Sequence, residues 1–146
     1  MTVRALAAAF TLILAVAALT GCQPEQEESV PDYTPRTVDE LTAEIEQLPG
    51  VASVSLTFTE DVGTGPKYRG EVRLAADAGT DPLRTLDAVH AILRRGEPRA
   101  TFGVGVIDPA DHAAYHANEL GLTNLRSIEE RYGPQPGDGT PPSELP

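Results

Sequence analysis

The chain has 146 residues, with eleven Lys and Arg against twenty-two Asp and Glu, a formal charge of −11. That length suits one domain with a core of modest size, and the acidic balance argues against nucleic acid and against a polybasic grip on anionic lipid, both of which need clustered Lys and Arg. A single cysteine can form no internal disulfide, so packing alone must hold the folded part together.

The first segment is hydrophobic. Arg4 supplies a positive n-region, and Ala5 to Leu19 is an apolar run broken only by Thr11, about the length of a signal-peptide h-region and short for a membrane span. Leu19-Thr20-Gly21-Cys22 then sets two small residues before the only cysteine. This arrangement resembles the lipobox of bacterial lipoproteins, and the resemblance covers residues 1–22. It implies that residues 1–21 are a signal peptide removed in front of Cys22. It also implies that Cys22 carries a covalent diacylglycerol and an N-acyl lipid, of the palmitate class, and that the protein is lipid-anchored at the cell membrane on its extracytoplasmic side. Each buried methylene contributes about 0.8 kcal/mol, so two or more acyl chains suffice for a stable anchor. The lipid also accounts for an odd cysteine in an exported chain. Loss of Arg4 with the signal leaves ten Lys and Arg against twenty-two Asp and Glu, a charge of −12.

Residues 22–36 follow as an acidic tether, in which Glu25, Glu27, Glu28, Pro24, Pro31 and Pro35 leave too little apolar surface to offset the entropy of ordering. Flexible chain of that length spans about 20 Å root-mean-square. Residues 133–146 hold five prolines and three glycines and form, by the same reasoning, a disordered tail. The domain is therefore expected over residues 37–132.

Thr37 and Glu40 make a capping box, and Val38, Leu41, Ile45 and Leu48 recur at helical spacing, so a first helix is predicted to about Leu48, ended by Pro49-Gly50. Val54, Leu56 and Phe58 alternate with Ser53, Ser55 and Thr57 in a strand. Glu60 to Lys67, with two glycines and a proline, reads as a long hairpin loop to a second, antiparallel strand in which Tyr68, Val72 and Leu74 alternate with Arg69, Glu71 and Arg73. Asp81 or Thr80 caps a second helix with Pro82 in its first turn and Leu83, Leu86, Val89, His90 and Leu93 on one face; Arg94 and Arg95 suit its C-terminal dipole and Gly96 stops it. Phe102, Val104 and Val106 alternate with Thr101, Gly103 and Gly105 in a third strand. A helix is then expected from about Pro109 to Leu120, with Ala110, Ala113, Ala117 and Leu120 as its shallow apolar stripe, and a short helix from Ser127.

The order helix–strand–strand–helix–strand–helix, with each strand apolar on one face, predicts an α+β two-layer sandwich: a three-stranded or slightly larger sheet, helices on one face, the other open. The order and the turn Leu48-Pro49-Gly50-Val51 are similar to part of a ferredoxin-like fold, and the turn itself resembles that of heavy-metal-associated domains. Those domains bind metal through a cysteine pair before the first helix, which this chain lacks, so only the topology is carried over. The helix–hairpin–helix–strand order also resembles small envelope domains of the BON type.

Two surfaces could carry function. Asp108, His112, His116 and Glu119 are spaced by four, four and three residues, so on a helix all four would share one face, and His at i and i+4 is a spacing that binds Zn, Cu or Ni. The bland alternative is the solvated face of an amphipathic helix. The open sheet face would show Arg69, Glu71 and Arg73 beside Ser53, Ser55, Thr57, Thr101, Gly103 and Gly105. Two arginines beside flat glycine positions can receive a carboxylate or phosphate, and a flat face or unpaired edge can pair with an envelope protein or a second copy. The alternative is a solvated face that Glu71 neutralises. His90 on an apolar helix face reads as a hydrogen-bonded core residue. No Ser, Thr or Cys has an evident base and orienting acid, and Gly63-Thr64-Gly65 leads into Pro66 instead of a phosphate-binding helix. The sequence thus points to a non-enzymatic, lipid-anchored binding or adaptor domain, with an extracytoplasmic metal-binding lipoprotein as the alternative.

Overall fold

A computed structural model of the chain describes residues 33–135. The signal peptide, the lipobox with Cys22, the tether as far as residue 32 and the tail from residue 136 lie outside the described residues. The elements run in the order α1 (Val38–Ile45), β1 (Val51–Asp61), β2 (Gly65–Leu74), α2 (Pro82–Leu93), β3 (Thr101–Ile107), β4 (Ala114–Tyr115), a 3-10 turn (Ala117–Leu120) and α3 (Leu125–Tyr132). The fold is α+β, with one mixed four-stranded sheet in the order β1-β2-β3-β4.

Local sequence explains most of these elements. In α1 the Thr37 hydroxyl accepts from the Glu40 N–H while Glu40 accepts from the Thr37 N–H, so two donors left over at the helix start are satisfied together. The α-helix stops at Ile45, and tighter turns carry the chain to Gly50, where φ is +79° and a Cβ would come 2.2 Å from Thr80 Oγ1. Asp81 caps α2, accepting from the Leu83 N–H, with Pro82 in its first turn.

The hairpin is tighter than its composition suggests. β1 and β2 pair antiparallel from Asp61↔Gly65 onward, so only Val62, Gly63 and Thr64 turn the corner, and the expected Glu60–Lys67 loop is mostly strand. Pro66 is tolerated because β3 first pairs with β2 at Lys67, leaving β2 an edge at Pro66. After β2 the chain crosses through α2 to β3, which pairs parallel with β2. At Gly70, in mid-strand, φ is +153° and a Cβ would come 1.8 Å from the Ser55 carbonyl oxygen; only glycine lets β1 approach β2 there.

The larger correction lies after β3. The helix expected over 109–120 does not form: Asp108 Oδ1 accepts from the Ala110 N–H at 2.8 Å and Asp111 Oδ1 from the Ala113 N–H at 2.9 Å, and His112 takes φ +59°. These side-chain turns hold the backbone in a conformation that the alanine periodicity could not override. The segment instead adds β4 antiparallel to β3 through Val106↔Tyr115 and Ile107↔Ala114.

The core lies between the helices and one face of the sheet. Leu41 and Ile45 of α1, Leu86, Val89 and Leu93 of α2, Tyr68 and Val72 of β2 and Val104 and Val106 of β3 are buried in it. α3 begins at Leu125, capped by Asn124, and closes the end of this layer with Ile128 and Tyr132. The folded part overruns the expected boundaries on both sides. Tyr33 Oη donates to the Gly96 carbonyl at 2.7 Å and the Arg36 N–H to the Arg95 carbonyl at 2.9 Å, while Gln135 Nε2 donates to the Arg94 carbonyl at 2.8 Å.

Candidate functional site: the open face of the sheet

Register and alternation define the face away from the helices. Its rows are Thr59–Lys67–Thr101, Thr57–Arg69–Gly103, Ser55–Glu71–Gly105 and Ser53–Arg73–Ile107. Ser53, Ser55, Thr57, Arg69, Arg73, Thr101 and Gly103 are exposed. The expected grouping of Arg69, Arg73, Ser55 and Gly103 on one surface is thus present.

The two glycines are not bare. A Cβ built on Gly103 would lie 3.0 Å from Lys67 Cε and 3.6 Å from Nζ, so the lysine stem crosses the strand over that residue. A Cβ on Gly105 would lie 2.9 Å from both Cε1 and Nδ1 of His116. The imidazole covers Gly105, which is buried and not the flat, open position expected from sequence. Pairing of Tyr115 with Val106 brings His116 there, and the Glu119 carboxylate fixes it by accepting its backbone N–H. Each glycine is therefore a seat for a side chain from elsewhere in the sheet layer, Lys67 of β2 over Gly103 and His116, just after β4, over Gly105.

Charge on this face is uneven. Arg73 donates through Nε and Nη2 to Glu71 Oε1, at 2.8 and 2.6 Å, so these two neutralise each other. Lys67 and Arg69 have no acid partner among the described residues. They share one patch of a surface whose residues 33–135 hold ten Lys and Arg against sixteen Asp and Glu. Thr57 turns its hydroxyl to the Arg69 carbonyl at 3.2 Å, which leaves the Arg69 head open above the row.

The proposed metal ligands are not gathered. Asp108 and His112 fall in the turn after β3, His116 follows β4, and Glu119 is in the 3-10 turn, so the helical face that would have aligned them is absent. Asp108 and Glu119 are engaged as backbone caps. Among the described residues no group of three or more His, Cys, Asp or Glu side chains could hold a metal ion.

His90 is wholly buried, with Nε2 3.4 Å from the Val104 carbonyl and its ring 5.4 Å from that of Phe102. Burial pushes its pKa down to about 4. Sequence reasoning missed two members of the open face. Lys67 is in phase with Arg69 and Arg73, a signal that the apparent hairpin loop concealed. His116 reaches the face through a pairing between β3 and β4 that no local pattern announces. No protein-family model matches the chain, and comparison with curated proteins and with solved structures likewise gives no match.

Proposed function

We propose that this chain is a non-enzymatic binding domain, lipid-anchored through Cys22 at the extracytoplasmic side of the cell membrane, that receives an anionic envelope partner on the open face of its sheet. One observation carries this reading: Lys67 lies across Gly103 beside Arg69, and neither has an acid partner among the described residues of a chain with a net charge of −11. Two neighbouring cations repel each other until an anion sits between them, and a guanidinium can take a carboxylate or phosphate through two parallel hydrogen bonds. The surrounding acidity adds specificity. An acidic partner is repelled by most of the domain and attracted where Lys67 and Arg69 stand together, which favours one docking orientation.

Cross-linking on native membranes tests the reading. The wild-type chain is compared with Lys67→Glu, Arg69→Glu, whose exposed and half-buried positions leave the core untouched, and with Cys22→Ser. A partner captured by the wild type should fall by about tenfold in the charge-reversed form, as expected when close charge pairs turn repulsive. Equal capture by both forms sinks the binding reading. Cys22→Ser should move to the soluble fraction, and its retention with the membrane would remove the anchor from the account.

A further inference from the structure

β1 is the unguarded side of the sheet. It has eleven residues, pairs with β2 on one side, and has no strand on its other side among the described residues. Natural sheets protect such edges with lysine, proline, inward-pointing charge or bulges. β1 has only an irregularity at its start, between Val51 and Ser53, and its acids Glu60 and Asp61 at its end. From Ser53 to Thr59 no strand among the described residues pairs with the outward N–H and C=O groups.

The side chains of β1 say what kind of strand fits. On the open face it presents only Ser53, Ser55, Thr57 and Thr59, which stand beside Arg73, Glu71, Arg69 and Lys67 of β2. A strand added along β1 would lie two spacings from β2, about 10 Å. Arg69, which is exposed, can lean across the short hydroxyl of Thr57 to a carboxylate at that distance, as it could not across a bulky residue, and Lys67 reaches the same side by swinging away from its place over Gly103. On the helix face Val54, Leu56 and Phe58 are only half-buried, whereas Val72 and Tyr68 beside them are buried. Apolar side chains on an added strand would complete that cover.

Resting on the anionic-partner reading, we propose that the partner enters as an extended segment that adds to β1 as a fifth strand. Its Asp or Glu residues occupy alternate positions over the serine and threonine row, where they meet Lys67 and Arg69, and its intervening apolar residues lie against Val54, Leu56 and Phe58. A second copy of this chain answers the site less well. β1 paired with itself in any register that uses Ser53 to Thr59 sets hydroxyls beside hydroxyls and leaves Lys67 and Arg69 without a counter-charge.

The test uses the full chain in detergent and a fluorescent, end-capped nine-residue peptide alternating Glu and Val, with a Lys–Val peptide as its counterpart. Two further Glu–Val peptides carry N-methyl groups on every Val or on every Glu. Successive N–H groups of a strand point to opposite sides, so strand addition requires one N-methylated peptide to bind at least about tenfold more weakly while the other binds like the parent. Lys67→Glu, Arg69→Glu should reverse the preference, from the Glu–Val to the Lys–Val peptide. Equal behaviour of the two N-methylated peptides, with the charge preference intact, overturns strand addition but leaves the anionic-partner reading standing. No preference for Glu–Val over Lys–Val in the wild type overturns both. A dimer that sediments as such and excludes the peptide would assign the edge to a second copy and overturn the occupant proposed here.

Discussion

At the scale of single residues, His90 carries the clearest physical consequence. Desolvation lowers its pKa to about 4, against the smaller pull of the Val104 carbonyl and of Asp87 toward the charged form. In the unfolded chain the same imidazole titrates near 6.5, so on acidification the unfolded state takes up the proton first. The stability that depends on a neutral His90 is therefore complete above about pH 6.5 and drains away as pH falls toward 4, a total of about 3 kcal/mol. Urea unfolding at pH 7 and pH 4.5 should show the wild type losing about 2–3 kcal/mol more than His90→Met. Parallel losses in the two proteins would mean that the ring is not buried neutral. The position of His90 was legible because a helical apolar face is a local pattern. The roles of Gly103 and Gly105 were only half legible: alternation placed them on the open face, but the side chains that cover them come from β2 and from the turn after β4.

At the scale of elements, α3 is tied to α2 by a buried ionic cluster. Arg131 Nε and Nη2 donate to Asp87 Oδ1 and Oδ2, both at 2.6 Å, and Tyr132 Oη donates to Asp87 Oδ1 at 2.7 Å. The Asp87 side chain is 6% exposed and that of Arg131 10%, so removing the carboxylate takes two short hydrogen bonds from Arg131 and one from the buried Tyr132 hydroxyl, leaving the latter its longer contact of 3.4 Å with the Asp87 carbonyl. Asp87→Ala should cost about 3 kcal/mol. Its amide exchange should accelerate across Leu125–Tyr132 and leave β2 and β3 protected to the level of global unfolding. If exchange in α3 is unchanged, the cluster is not what holds that helix. The sequence showed α1, α2 and the first three strands through capping residues and periodicity, because in each the local preference agrees with the tertiary fold. It failed over 108–116, where a helical spacing of alanines competes with two aspartates that fold the backbone onto themselves. The metal set depended on that helix, and a candidate site inherits the fate of the element that displays it. The parallel pairing of β3 with β2 was beyond local reading because the crossover through α2 decides it.

At the scale of the whole molecule, the proposed function sets an acidic domain against a small cationic patch on its open sheet face. A net charge of −11 repels acidic surfaces at large, and in the proposed function the pair Lys67 and Arg69 is the local exception that an anion meets. A long-range field of this kind is screened over about 8 Å at physiological ionic strength, so the proposed docking depends on short-range contacts with the sheet itself. The hydrogen bonds of the flanking residues bear on chain connectivity. Tyr33 Oη and Gln135 Nε2 share the Gly96 carbonyl as acceptor, at 2.7 and 3.4 Å, so the two ends of the described chain meet at one pole. The order in which the polypeptide is threaded is then separable from the shape it makes. A circular permutant that joins residue 135 to residue 33 through a short glycine linker and opens at Gly63, around which a Cβ would meet nothing within 4 Å, should fold with the same sheet and the same chemical shifts away from the cut. A permutant that cannot fold would show that the Asp61–Gly65 turn is needed to begin β1–β2 pairing, and is not merely the place where it ends.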